Sequence, residues 1–364
     1  MKVAFFGITA NENMRGVERY TVEQLSSLLK LYDDLFVTLF CGSWQYKYYR
    51  KLLDSDRVNI RIVKIPNRKI FRHLFCAFVF PFYVIKYDLV HINNTLPILF
   101  KLGKKYAVTI HDLAEWFVPE KYSPIQIAYR KVIGFMSARR ADKIITVSAY
   151  SKKTIQEVFH IKPEKIVVTY LGAEHCLEKI DLSINRPSGL PSKYILYWGV
   201  IEHSKGIIES IRAFNLIKDK DVKLIVCGKE GNAFSEFTRL IKNNDNIIYN
   251  GFVTDEELYS LIKNSLCVIF PSLYEGFGLP ALEGFCLNDN IVCSSTTSLG
   301  EISARFAWQV DPKSINELAL KIANAIKYPK YFTQDEKTSI LKYFSWEKSS
   351  RILYHCYNDL IIDN

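Results

Sequence analysis

A chain of 364 residues is too long for one ordinary hydrophobic core and suits two domains. Apolar residues make up 49% and charged residues 24%, which excludes a disordered chain; the longest clean apolar run, Leu74 to Ile85, has 12 residues and contains Pro81, well short of the roughly 20 that cross a bilayer. The formal charge of +10 is uneven: residues 1–175 hold 27 basic against 15 acidic side chains and residues 176–364 hold 21 against 23, so the first half faces an anionic partner, with nucleic acid and an anionic membrane face as candidates.

In chain order, Met1-Lys2 runs straight into Val3–Ile8, which reads as a short buried strand and not as a secretion signal. Further strands are predicted at Phe36–Phe40, Val58–Ile65, Leu89–Ile92, Tyr106–His111, Lys143–Val147 and Lys165–Thr169. Helical patterns lie between them, notably Glu18–Leu31 and Ile125–Arg140. Short apolar strands alternating with helices predict a parallel sheet covered on both faces, ending near Tyr170. The stretch 171–192, with Gly172, Pro187, Gly189 and Pro191, reads as a linker. The alternation then restarts over residues 193–344, with strands at Tyr194–Tyr197, Lys223–Cys227, Ile247–Tyr249, Leu266–Phe270 and Asn290–Ser294. Thr254 and Glu257 form a capping box at a helix start. An amphipathic helix, Ser345–Leu360, ends the chain. Two doubly wound α/β domains facing across a cleft place a site at the carboxyl ends of both sheets. The eight cysteines show no CxxC pair and no zinc-like spacing, so reduced, buried thiols are expected.

The strongest local signal is the run Phe270–Glu283, FPSLYEGFGLPALE. An apolar strand ends at Pro271, a glycine-bearing loop follows, and a helix is expected to open with Pro280 at its first position, where a missing N–H costs nothing. The amides of Phe277, Gly278 and Leu279 then form an anion site suited to a diphosphate. Glu275 and Glu283 stand beside it, and a carboxylate there is tolerable when it accepts hydrogen bonds from neutral hydroxyls, such as those of a sugar and a ribose. Lys205 opens another helix after a strand ending at Gly199. A cation at a helix N-terminus is unfavourable unless an anion also sits there. His111 closes an apolar strand, at the end that faces a cleft.

The run Ser272–Glu283 closely resembles the E-x7-E signature of the family-4 retaining glycosyltransferases, of the bacterial polysaccharide and lipopolysaccharide kind. Further pieces fall in that family's order: Gly16-Val17-Glu18-Arg19-Tyr20, His111-Asp112-Leu113, Thr146-Val147-Ser148 with Ser151, Gly251–Leu258, and Phe344–Glu347. The resemblance implies the two-domain GT-B fold, with the last helix packing back on the N-terminal domain. It implies transfer of a hexose, with a mannose-like sugar favoured, from a nucleoside-diphosphate donor to a hydroxyl of a glycan or lipid-linked glycan, with retention of configuration. Glu275 would contact the donor sugar, Glu283 the ribose, and the amides of Phe277, Gly278 and Leu279 the phosphates. Gly199, Lys205 and Val253 complete the donor side, with Lys205 on the diphosphate. His111 would orient hydroxyls near the reacting carbon, and Gly16, Asp112 and Ser148 lie on the acceptor side. The family often carries an arginine next to the lysine or after the strand glycine; here those positions hold Ser204 and Val200.

Asp54-Ser55-Asp56 and Asp219-Lys220-Asp221 spell DxD but read as loops, so no metal and no cofactor beyond the donor are expected. A dinucleotide GxGxxG and a Walker lysine loop are both absent from the sequence. Lys69–Phe80, basic at one end and aromatic beyond, reads equally as a membrane-surface helix and as a buried one leading into the strand at Leu89. No nucleic-acid-binding motif accompanies the charge, which leaves the membrane as the simpler anionic target. The chain is expected in the cytoplasm, with peripheral association at the inner membrane face. A GT-B sugar-nucleotide epimerase and a non-catalytic binding module are the rival readings.

Overall fold

The computed structural model describes residues 1–11, 16–178, 189–219 and 221–362. The chain divides into two compact units, Met1–Leu171 with Phe344–Asn364, and Gly172–Tyr343.

The first unit is a seven-stranded sheet of β1 (Lys2–Phe6), β2 (Phe36–Gly42), β3 (Val58–Val63), β4 (Leu89–Ile92), β5 (Lys105–Thr109), β6 (Lys143–Thr146) and β7 (Ile166–Val168). Its order is β3-β2-β1-β4-β5-β6-β7 and every pairing is parallel. Apolar strands buried on both faces explain why their sequences read as near-continuous hydrophobic runs. One face packs under Phe75, Phe80 and Phe159, and the other under Leu25, Leu28 and Leu353. The closing helix Trp346–Ile362 lies against the helix Gly16–Leu31, where Gln24 bonds Ser349 and Ser350.

The second unit holds β8 (Lys193–Trp198), β9 (Val222–Cys227), β10 (Ile247–Gly251), β11 (Cys267–Phe270), β12 (Ile291–Ser294) and β13 (Trp308–Val310). Their order is β10-β9-β8-β11-β12-β13, again all parallel. Both sheets therefore reverse strand order beside their first strand, at β1/β4 and at β8/β11, and such a switch point opens a crevice at the strands' carboxyl ends. Close backbone approach holds that crevice in the second unit. Gly228, at φ +152°, lies so near Gly199 that an added Cβ would sit 1.7 Å from the Gly199 carbonyl oxygen.

Three expectations need correction. Residues 171–192 are not all linker: Glu174–Glu178 form a helical turn packed against the helix Leu279–Leu287, while 179–188 lie outside the described residues. That helix opens at Leu279, one residue before Pro280, because Gly278 at φ +91° supplies the cap conformation. β13 has no counterpart in the sequence reading: its Trp308-Gln309-Val310 is broken by a polar residue, unlike the continuous apolar Ile166–Val168 of the equally short β7. The Thr254 capping box forms as read, and all eight cysteines are buried and unbridged.

Candidate active site

In the second unit the site grows from β8 and β11. After β8 the chain passes Gly199 and makes a 3-10 turn, His203–Lys205, before the helix Ile207–Asn215. Gly206 holds φ +69° there, and a Cβ would meet the Pro271 carbonyl oxygen at 2.1 Å. The Leu273 amide donates to the Ser204 carbonyl (2.9 Å), clamping the two loops together. The clamp brings Lys205 Nζ to 2.6 Å from Glu275 Oε1, with both side chains largely withdrawn from water. The anion that a lysine at this helix start calls for is thus the Glu275 carboxylate. Ser298 donates to the Glu275 carbonyl (2.7 Å) and fixes its backbone.

Glu283, on the buried face of Leu279–Leu287, shares a 3.0 Å hydrogen bond with His175 Nε2. Sequence reasoning missed His175, a lone histidine 108 residues from its partner, with no local pattern to mark it. His175, Cys176 and Glu283 offer ligand atoms within 4.8 Å of one another and form the one cluster of metal-ligating type among the described residues. The His175–Glu283 hydrogen bond accounts for two of its three members without an ion. Asp54, Asp56, Asp219 and Asp221 are exposed and belong to no such cluster; Asp221 donates its amide to Asp219 as an ordinary turn. Phe277, Gly278 and Leu279 lead into the N-terminus that carries Glu283, and Val253 is half-buried just after β10.

In the first unit His111 follows β5. Its Nε2–H donates to Asn93 Oδ1 (3.3 Å) and its ring meets Tyr20 edge-on at 5.0 Å. Desolvation pushes its pKa down to about 4, so at neutral pH the ring is uncharged and Nδ1 is left as an acceptor. Ser151 donates to the His111 carbonyl (3.2 Å), and Asp112 caps its own loop by accepting from the Ala114 amide (3.0 Å). Ser148 is fully buried as the N-cap of Ala149–Phe159, so its hydroxyl serves the helix. Gly16 opens the helix Gly16–Leu31.

The family Glycosyl transferases group 1 matches residues 183–339, and Glycosyltransferase Family 4 matches residues 14–175. The chain belongs to the family-4 glycosyltransferases. It is 26% identical over 271 residues to the O-antigen chain mannosyltransferase B of Escherichia coli, covering 70% of each chain. It is 23% identical over 325 residues to the O-antigen chain mannosyltransferase RfbU of Salmonella typhimurium, covering 86% and 88%. Among solved structures, this glycosyltransferase shares the fold of the sucrose-phosphate synthase of Thermosynechococcus elongatus (TM-score 0.75, 17% identity, all of both chains). It also shares that of Anabaena HepE in complex with UDP (TM-score 0.71, 16% identity, 99% and 100% of the chains). The glycosyltransferase has no helix among its described residues long and apolar enough to cross a membrane.

Proposed function

We propose that this glycosyltransferase moves a mannose-like hexose, with retention, from a nucleoside diphosphate to a hydroxyl of a cell-surface glycan or its lipid-linked precursor. The observation that carries the reading is the Lys205–Glu275 pair at the β8/β11 switch point, beside the helix start at Leu279. The names of the bacterial O-antigen relatives support the choice of sugar and product. Lys205 and the amides of Gly278 and Leu279 meet the diphosphate, Glu275 the sugar hydroxyls, and Glu283, steadied by His175, the ribose. No protein nucleophile is required, since the leaving phosphate can take the acceptor's proton on the same face of the sugar. The protein contributes orientation and charge stabilisation. His111, kept neutral, accepts a hydroxyl hydrogen bond.

The first unit carries the acceptor. Its 29 basic against 17 acidic side chains, compared with 19 against 21 in the second, suit an anionic membrane face in the cytoplasm. The segment from Lys69 to Ile85 buries Phe75, Phe80 and Val84 and exposes Ile70, Phe71, Leu74, Phe78, Phe82 and Ile85, so it is core on one side and surface on the other. Each basic group near such a surface contributes about 1 kcal/mol.

A thermal-shift panel of GDP- and UDP-sugars, followed by NMR of the product's anomeric proton, tests the reading. One nucleotide sugar should raise the melting temperature, and the new bond should keep the donor's configuration. Product without acceptor would make the protein an epimerase. Tight donor binding without turnover would make it a binding module.

A further inference from the structure

The first unit has a cleft of about 290 Å³ at its own switch point, β1/β4, walled by Thr9 and Asn94 from the strand ends. Three cations converge on it, Lys69 and Arg72 from the helix Lys69–Leu74 and Arg130 from the helix Pro124–Arg140. None of the three forms an ion pair with a described residue. Lys69 Nζ rests 4.2 Å over the Tyr129 ring, Arg130 lies 4.5 Å over Tyr122, and Arg72 donates to the neutral amide of Asn67 (2.8 Å). Tyr129 and His73 share a hydrogen bond that ties the two helices together.

Among the described lining residues the one carboxylate, Glu18, is already engaged by the Thr9 hydroxyl and by the Asn11 amide (3.1 Å). Glu115 is near enough to favour the charge of Lys69 but does not pair with it. Burial, followed by the charges of Arg130 and Arg72, lowers the basicity of Lys69; burial and then all three cations press His73 down to about 4. A cleft in which cations oppose one another, held together by a neutral imidazole, is stabilised by whatever anion enters it.

We infer that this cleft binds a phosphate or diphosphate group of the acceptor, recognised by Lys69, Arg72 and Arg130. Arginine's planar fork matches phosphate oxygens two at a time, and two such forks with a lysine can surround a diphosphate. The inference rests on the first unit being the acceptor side. The exposed apolar face of the same Lys69–Ile85 segment would receive the lipid that carries such a group.

The test uses the full chain and three probes: decyl diphosphate, inorganic pyrophosphate, and phosphatidylglycerol vesicles. Decyl diphosphate should bind by calorimetry, more weakly as salt rises. K69Q/R72Q/R130Q should weaken it at least tenfold, R130Q alone severalfold, and K47Q, at an exposed lysine of the first unit outside the cleft, should leave it unchanged. The single variant guards against misfolding of the triple one, whose melting temperature is read alongside. Pyrophosphate binding lost to the same degree would mean that the cleft reads the phosphate itself; loss confined to decyl diphosphate would mean a lipid-borne group. Unchanged binding in the triple variant, an equal loss in K47Q, or a defect confined to vesicles would overturn the inference. Failure of every nucleotide sugar to bind, with decyl diphosphate binding intact, would defeat the proposed function and leave this site standing.

Discussion

The two units share a topology and differ in how they handle charge. At the switch point of the second, the cation Lys205 is paired with Glu275 and Glu283 is bonded by His175. At the switch point of the first, Lys69, Arg72 and Arg130 share a cleft and form no ion pair with a described residue, resting instead on aromatic rings and an amide. A paired site is pre-organised before its ligand arrives. A site of like charges gains its order from the ligand, and affinity there depends on what the ligand neutralises.

The sharpest way to break this contrast is at the paired site. Glu275→Ala should lower kcat by roughly 100-fold or more, because under the proposed function it touches the sugar where charge changes in the transition state. Glu283→Ala should instead raise the donor KM, about tenfold, with a smaller effect on kcat. Steady-state kinetics that show equal, small effects would remove both from the site.

Backbone crowding offers a second test. Gly228→Ala should cost about 3 kcal/mol, since its Cβ would clash with the Gly199 carbonyl. Gly103→Ala in the first unit, at φ +74° with open space around it, should cost only about 1 kcal/mol. Urea melts of the two variants compare them directly.

The first unit should also be the acid-sensitive one. Burial holds His91 down to about 3 and His111 to about 4, against an ordinary value of 6.5. Below 6.5 the unfolded chain takes up these protons and the folded one does not. Stability is therefore complete above that pH and lost as pH falls toward 4, by at most about 1.4 kcal/mol per pH unit per histidine. His91 sits between Tyr357 and Thr109, and His91→Gln should flatten the slope. A slope unchanged in that variant would place the acid sensitivity elsewhere.

The smallest effect is expected from metal removal. EDTA should leave activity largely intact. Complete loss, restored by Mn²⁺ or Mg²⁺, would turn attention to the DxD strings or to the cluster of His175, Cys176 and Glu283.

Most of the fold was legible in the sequence. The strand pattern from Val3 onward and the Thr254 capping box are local features, set by alternation and side-chain chemistry within a few residues. The same holds for the run from Pro271 to Glu283, where glycine, proline and two acids stand close together. β13, broken by Gln309, and the helical turn at Glu174–Glu178 escaped because neither carries the continuous apolar run that marks the equally short β7. Ser148, on the acceptor side by the family resemblance, caps a helix in the fold, and a serine before a helix looks the same in sequence whether it caps or binds.

By itself the sequence determined two doubly wound units, the strand–loop–helix of Phe270–Glu283 and the family. Tertiary structure alone decided that Lys205 meets Glu275 across 70 residues, that Glu283 meets His175, and that Lys69 and Arg72 share a cleft with Arg130. A motif is readable when its parts are neighbours along the chain. These pairings join residues from separate crossovers, and the strand order that brings them together is a property of the folded sheet.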